Sequence, residues 1–335
     1  MLRRSKRLFK LALSVGALAA FLVLVGLGTL RYLTVQEQQR IDKLIQQTVT
    51  FKHPQRMQPQ TLLNDVEWLA DERLAGRFPG SPGSLQARNY ITERLQELGL
   101  SPAGSEGFHH PFAYLGGTAV NVLAKIEGSE SSEQLIVVTA HYDHVGERHG
   151  EIYPGADDNA SGVAALLGMA KYFAEHPPKH SILLAALDAE EDALNGAQAL
   201  FTTGMLQPDK ILFNLNLDML SRDTDNTLFA VGSYHTPWLS DVVKAAQHES
   251  SVRLVAAHDR PMWRVGWVPD WTDDSDHLAF HQRAIPFLYL GVPDHADYHQ
   301  PTDTFEKVDQ DFFVAASEAA LSVVISVDNA LQQIK

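Results

Sequence analysis

The chain has 335 residues, 45% of them hydrophobic, with a formal net charge of −14 and no cysteine. The missing cysteine excludes disulfides, thiolate zinc sites, cysteine nucleophiles and a lipidated cysteine. Residues 1–33 hold six basic groups and no acid, leaving 21 Lys+Arg against 41 Asp+Glu in the rest, a body that repels nucleic acid.

The run Leu11–Leu30 is 20 residues without a charge, the length a helix needs to span a bilayer core. Arg3, Arg4, Lys6, Arg7 and Lys10 precede it, and Arg31 alone follows closely. The positive-inside rule then places the N-terminus in the cytoplasm and the body in the periplasm or outside the cell. Ala17-Leu18-Ala19 has the character of a cleavage site, but cutting there leaves a very short apolar region, so an uncleaved anchor is preferred. Residues 1–33 read as a basic tip and transmembrane anchor, 34–60 as a Gln-rich helical stalk or linker, and 61–335 as one globular domain.

In that domain, Leu62, Leu63, Val66, Leu69 and Leu74 are spaced for an amphipathic helix. A Gly/Pro-rich loop, 76–83, leads to a second helix with Ala87, Tyr90, Ile91, Leu95 and Leu98 on one face and Gly99 as its stop. Val120–Ile126 and Leu135–Ala140 read as strands, Gly162–Phe173 as a helix, Ser181–Leu187 and Ile211–Met219 as strands. Pro237–His248 reads as a helix, Pro286–Leu290 as a strand and Gln310–Ile334 as a final helix. Strands alternating with helices imply an α/β sandwich with a mixed, largely parallel sheet.

Chemistry-bearing residues collect where these strands end, as open α/β sheets favour. Leu135–Ala140 runs into His141-Tyr142-Asp143-His144, where an Asp two residues on can orient an imidazole. Asp157-Asp158-Asn159 sits in a small-residue loop before an apolar helix, as a ligand or as a plain helix cap. Ser181–Leu187 leads to Glu190-Glu191, adjacent carboxylates that repel unless something positive stands between them. Asp218 closes an alternating strand, and Asp294-His295-Ala296-Asp297-Tyr298-His299 offers two histidines that spacing does not separate. Nitrogen and carboxylate donors without sulfur suit zinc, and paired carboxylates suit two metals sharing a bridging oxygen.

The order His-x-Asp, Gly-x-x-Asp-Asn-x-x-Gly, Glu-Glu, Asn-x-Asp-Met and His followed by Thr-x-Asp-Thr resembles the co-catalytic zinc aminopeptidases. Their superfamily also holds glutamate carboxypeptidases and glutaminyl cyclases. The resemblance covers about residues 61–330, including Leu74-Ala75-Gly76-Arg77 and Ser275-Asp276-His277. It implies a three-layer sandwich with a mixed sheet of about eight strands, two Zn²⁺ per chain and hydrolysis of N-terminal residues from peptides. By position, His141 and Asp218 resemble ligands of the first metal, Asp158 the bridging ligand, and Glu191 and His299 ligands of the second. Glu190 resembles the general base and Asp143 the residue that orients His141, while Asp276 would line the substrate site. A single-zinc glutaminyl cyclase and a carboxypeptidase are the alternatives. His144 and the other histidines match no ligand position and are expected to serve surface or structural roles. The Trp-rich stretch Met262–Trp271 would either wall the pocket or pack as core.

Overall fold

The computed structural model describes residues 2–47, 55–130 and 133–332. In chain order, α1 (Leu2–Ile45), α2 (Pro59–Leu69) and α3 (Pro82–Glu97) precede strands β1 (Ser101–Pro102), β2 (His109–Tyr114), β3 (Gly117–Ile126) and β4 (Leu135–His141). A short ribbon, β5 (Glu147–Arg148) and β6 (Glu151–Ile152), leads to α4 (Gly162–Glu175), β7 (Ser181–Leu187), α5 (Asn195–Thr202), β8 (Ile211–Leu217) and β9 (Thr227–Val231). The remainder is α6 (Leu239–Gln247), β10 (Arg253–Ala256), α7 (Met262–Val265), α8 (His277–His281), β11 (Phe287–Gly291) and α9 (Gln310–Ala330).

These elements form two compact units, Met1–Gln47 with Arg260–Asp270, and Thr48–Asp259 with Trp271–Lys335. In the first, α1 is one continuous helix, running without a break past residue 33. Leu18, Phe21, Leu22, Val23 and Leu24 are exposed along it, and the helix is long and apolar enough to cross a membrane. α9 passes the same test of length and composition, but most of it is buried, so it is a core helix of the second unit.

The second unit is built on a mixed sheet in the order β1-β3-β7-β4-β8-β11-β9-β10, with β2 paired to β3. The four central strands β7, β4, β8 and β11 are mutually parallel. β3 joins β7 antiparallel on one side and β9 joins β11 antiparallel on the other. Central parallel strands are covered on both faces, so they read as unbroken apolar runs such as Ile182-Leu183-Leu184-Ala185-Ala186-Leu187. Alternate residues feed two cores: Ile182, Leu184, Ile136 and Val138 pack with α2, α3, α4, α6 and α9, while Leu183, Ala185 and Val137 pack with α5 and α8. Each fully buried Leu, Ile or Val adds about 1.5–3 kcal/mol relative to exposure. The result is the expected α/β sandwich of helix, sheet and helix.

Strands β2, β9 and β10 were not among the elements expected from the sequence, although β9 carries the apolar run Leu228-Phe229-Ala230-Val231. β2 carries Pro111 and alternates in burial at the margin of the sheet, while β9 and β10 span five and four residues.

Candidate metal centre

The carboxyl ends of the four parallel strands converge. β4 ends on His141, β7 runs into Glu190 and Glu191, β8 is followed at once by Asp218, and β11 leads to His299. Asp158 comes from the loop between β4 and α4. His141 directs Nε2 at Asp218 Oδ1 (3.3 Å), Asp158 Oδ1 (3.4 Å) and Glu190 Oε2 (3.9 Å). His299 directs Nε2 at Asp158 Oδ2 (3.0 Å) and Glu191 Oε2 (3.0 Å). The two oxygens of Asp158 therefore face two different donor groups.

One residue of the cluster escaped the sequence reading. His144 is fully buried, not at the surface, and donates Nδ1–H to Glu191 Oε1 at 2.5 Å. Two sets of potential ligand atoms lie close together: His144, Asp158, Glu191 and His299, and beside them His141, Glu190 and Asp218. The only sequence signal for His144 is its place three residues after His141. The two residues that sequence left as alternatives, Asp157 and His295, bond each other at 2.9 Å. Asp157 also accepts the backbone N–H of Ser221.

Buried polar groups hold these loops. Arg77 donates to the carbonyls of Leu69, Tyr142, Pro154 and Gly155, tying the loops before and after the ribbon to one guanidinium. Asp303 accepts the backbone N–H groups of Asp157 and Asp158 at 3.1 Å. Asn159 donates to Leu217 O and accepts from Gly162 N, joining the end of β8 to the start of α4. Ser275 donates to Asp218 Oδ2 at 2.7 Å. His141 donates Nδ1–H to the Asp143 carbonyl at 3.2 Å, which leaves the Nε2 lone pair for a metal. The Asp143 carboxylate lies 3.7 Å from that nitrogen and accepts the backbone N–H of Glu190 (3.1 Å) and of Glu191 (3.4 Å). Ala189, Met219 and His299 all have positive φ, so ligand-bearing turns hold backbone that ordinary residues avoid.

The electrostatics fit a cation. Burial pushes the Glu190 carboxyl well above its ordinary range, with Asp218, Asp276 and Glu191 adding to the rise against His141. Burial also raises Asp218. Burial works the same way on Asp158 and Glu191, yet both are held down, Asp158 by His144, His141 and His299, and Glu191 by His144 and His299. Burial would lower His299, but Asp158 and Glu191 lift it to about 10. Four crowded carboxylates thus draw positive charge onto the imidazoles, and a divalent metal answers the same demand.

A model of peptidase family M28 matches residues 121–324. The chain belongs to peptidase family M28. The family makes it a metal-dependent hydrolase. This M28 peptidase is 26% identical over 281 residues to the uncharacterised Escherichia coli K12 protein YfbL, covering 76% of this chain and 84% of that one. It is 37% identical over 255 residues to a "probable zinc metalloprotease" of Pyrenophora tritici-repentis, covering 64% of this chain and 52% of the fungal one. The chain thus spans about half the length of that relative. Its fold is similar to that of BSAP, a zinc aminopeptidase from Bacillus subtilis, with a TM-score of 0.63 at 14% identity over 80% of this chain and 94% of the other.

In this M28 peptidase a cavity of about 290 Å³ opens over the cluster. Asp158, Glu190, Glu191, Asp218 and His299 form its floor, and Trp271, Asp274, Tyr289, Asp294 and Tyr298 its walls. Tyr298 stacks on His299 at 4.0 Å. Asp276 is not part of this wall; it is fully buried behind the cluster, and burial raises its carboxyl to about 8. Asp274, two residues earlier, occupies the wall.

Proposed function

We propose that the chain is a membrane-anchored zinc aminopeptidase that binds two metals and uses Glu190 as general base. The observation that carries this reading is Asp158, whose Oδ1 faces His141 while Oδ2 faces His299 and His144. His141, Asp158 and Asp218 would hold one zinc, and Asp158, Glu191 and His299 the other. Bound zinc supplies Lewis-acid polarisation of the scissile carbonyl and acidifies an attacking water.

The chain's own residues do the rest. Glu190 lines the cavity beside Asp158, Glu191 and Asp218, placed to take a proton from water and pass it to the leaving amine. Asp143 fixes the turn that carries Glu190 through the backbone N–H of that residue. Asp274 and Asp294 set negative charge in the wall, where a free α-amine would be held. Among the described residues, the lining includes no Lys or Arg, which a site for a C-terminal carboxylate calls for. The fold shared with BSAP, a zinc aminopeptidase, and the similarity to a probable zinc metalloprotease of Pyrenophora tritici-repentis support the same reading. α1 would span the bilayer with the basic N-terminus in the cytoplasm and the catalytic body on the far side.

The test is metal counting on the purified full chain, beside a panel of aminoacyl anilides and Gln-initiated peptides. Two zinc per chain with anilide hydrolysis is expected. One zinc with cyclisation of N-terminal Gln would replace this reading with a cyclase.

A further inference from the structure

The Trp-rich stretch expected to wall the pocket or pack as core divides along its length, with Val265 and Val268 buried. Trp271 lines the cavity, but Met262, Trp263 and Trp267 are 57%, 68% and 50% exposed. These three belong to the unit that contains α1, and the segment 260–270 is fastened to that helix. The Trp267 backbone N–H donates to Thr34 Oγ1 at 2.8 Å, and that hydroxyl donates in turn to Leu30 O. Arg260 pairs with Glu37, one turn further along. Gly266 has φ +71°, and a Cβ there would lie 2.2 Å from Thr34 Oγ1 and 2.3 Å from Leu30 O, so the close approach requires glycine.

These contacts fix the height of the loop along α1. Leu30 closes the charge-free run, and Thr34 lies four residues on, about 6 Å further along the helix axis. The headgroup layer on each side of a bilayer core is of similar depth, roughly 5–7 Å. Tryptophan concentrates in that layer because its ring is apolar and its N–H is polar. Tyr32, on the same stretch of α1, is 63% exposed. Arg264 lies over the Trp263 ring at 5.8 Å, so a cation accompanies the exposed ring.

From this geometry we infer that the 260–270 loop is a second membrane contact, with Met262, Trp263 and Trp267 seated in the headgroup layer of the leaflet from which α1 emerges. The occupant of this exposed patch is phospholipid, because the patch continues the apolar surface of α1 at the point where that surface ends. The inference rests on the reading of α1 as a membrane anchor.

The test uses the full chain in phosphatidylcholine vesicles and reads quenching of tryptophan emission by lipid brominated on the acyl chains. Quenching that is largely lost in the Trp263→Phe/Trp267→Phe variant, with unchanged flotation and melting, supports the contact. Equal quenching in both proteins overturns it. A second measurement does not depend on that variant: the chain has no cysteine, so a fluorophore can be placed at Trp263→Cys and, separately, at exposed Asp241→Cys. Quenching by brominated lipid at the first position alone supports the contact, and quenching at neither overturns it. Disulfide-linked Trp263→Cys copies without lipid quenching would assign the patch to a second copy of the chain and overturn the lipid reading. A chain that does not float with vesicles overturns the anchor itself, whereas one that floats unquenched overturns the loop contact alone.

Discussion

The carboxylate of Asp143 accepts the backbone N–H of Glu190 at 3.1 Å, while the Asp143 carbonyl takes Nδ1–H of His141. One residue thus sets both the tautomer of a metal-facing imidazole and the turn that carries the base. Asp143→Ala keeps the carbonyl that orients His141 and removes the carboxylate that holds the Glu190 turn, so kcat is expected to fall about 10–100-fold. Asp143→Asn keeps one oxygen that can accept and should recover part of the loss. Steady-state kinetics of the two variants, with zinc content measured alongside, decide the matter; an unchanged kcat in Asp143→Ala would remove the role.

Glu190→Gln separates base from ligand. Glu190 Oε2 lies within 3.9 Å of His141 Nε2, close enough that the cluster alone does not distinguish the two roles. As a base, Glu190 is expected to lose about 10²–10⁴-fold in turnover on substitution, with zinc content unchanged. Loss of one zinc from the variant, read by mass spectrometry of metals, would make Glu190 a ligand instead.

Arg77 is the largest fully buried side chain and donates to four backbone carbonyls, two of them immediately before the Asp157-Asp158 loop. Burial lowers its pKa to about 10, opposed by Asp158, Asp143, Asp303 and Glu191, so it stays charged at neutral pH. Arg77→Met keeps volume but leaves carbonyls without a donor. It is expected to cost about 3–5 kcal/mol in unfolding free energy. Zinc affinity should weaken as well, because the Asp158 loop loses its tether. Denaturant unfolding with metal titration checks both; an undiminished midpoint would refute the tether.

His277 predicts a pH slope. It is fully buried, stacks on Tyr289 at 4.8 Å and donates Nε2–H to Trp271 O. Burial lowers its pKa from 6.5 to about 3, with His281 and His235 also lowering it against hydrogen bonds to Trp271 and Thr272. Between those values the unfolded chain takes up a proton that the folded chain refuses, so this contribution to stability falls as pH drops from about 6.5 toward 3. His277→Phe keeps the stacked ring and removes the titration. Its melting temperature should fall less steeply across that window than that of the wild type; parallel slopes in metal-free protein would show that His277 does not titrate as argued.

Much of the fold was legible because its signals are local. The apolar runs of β4, β7, β8 and β11 mark strands buried on both faces, and residues just past their ends carry His141, Glu190-Glu191, Asp218 and His299. β2 and β10 escaped because a marginal or very short strand leaves no such run, whereas β9 was missed although it carries Leu228-Phe229-Ala230-Val231. The Trp-rich stretch was legible only in part: Trp271 lines the cavity, but aromatic composition signals burial, and nothing local in 262–267 distinguishes a core from an exposed surface.

Residue order alone therefore established the α/β class, the charge-free N-terminal helix and the donor types, since each depends on neighbours a few positions apart. Tertiary structure decided which donors meet. His144 reaches Glu191 across 47 positions, and Asp157 turns away to His295 across 138, because the order β7-β4-β8-β11 brings remote strand ends together. Whether one carboxylate bridges two donor groups is a property of that convergence. Asp158 does so because Asp303 and Arg77, remote in sequence, hold its loop from opposite sides of the chain order.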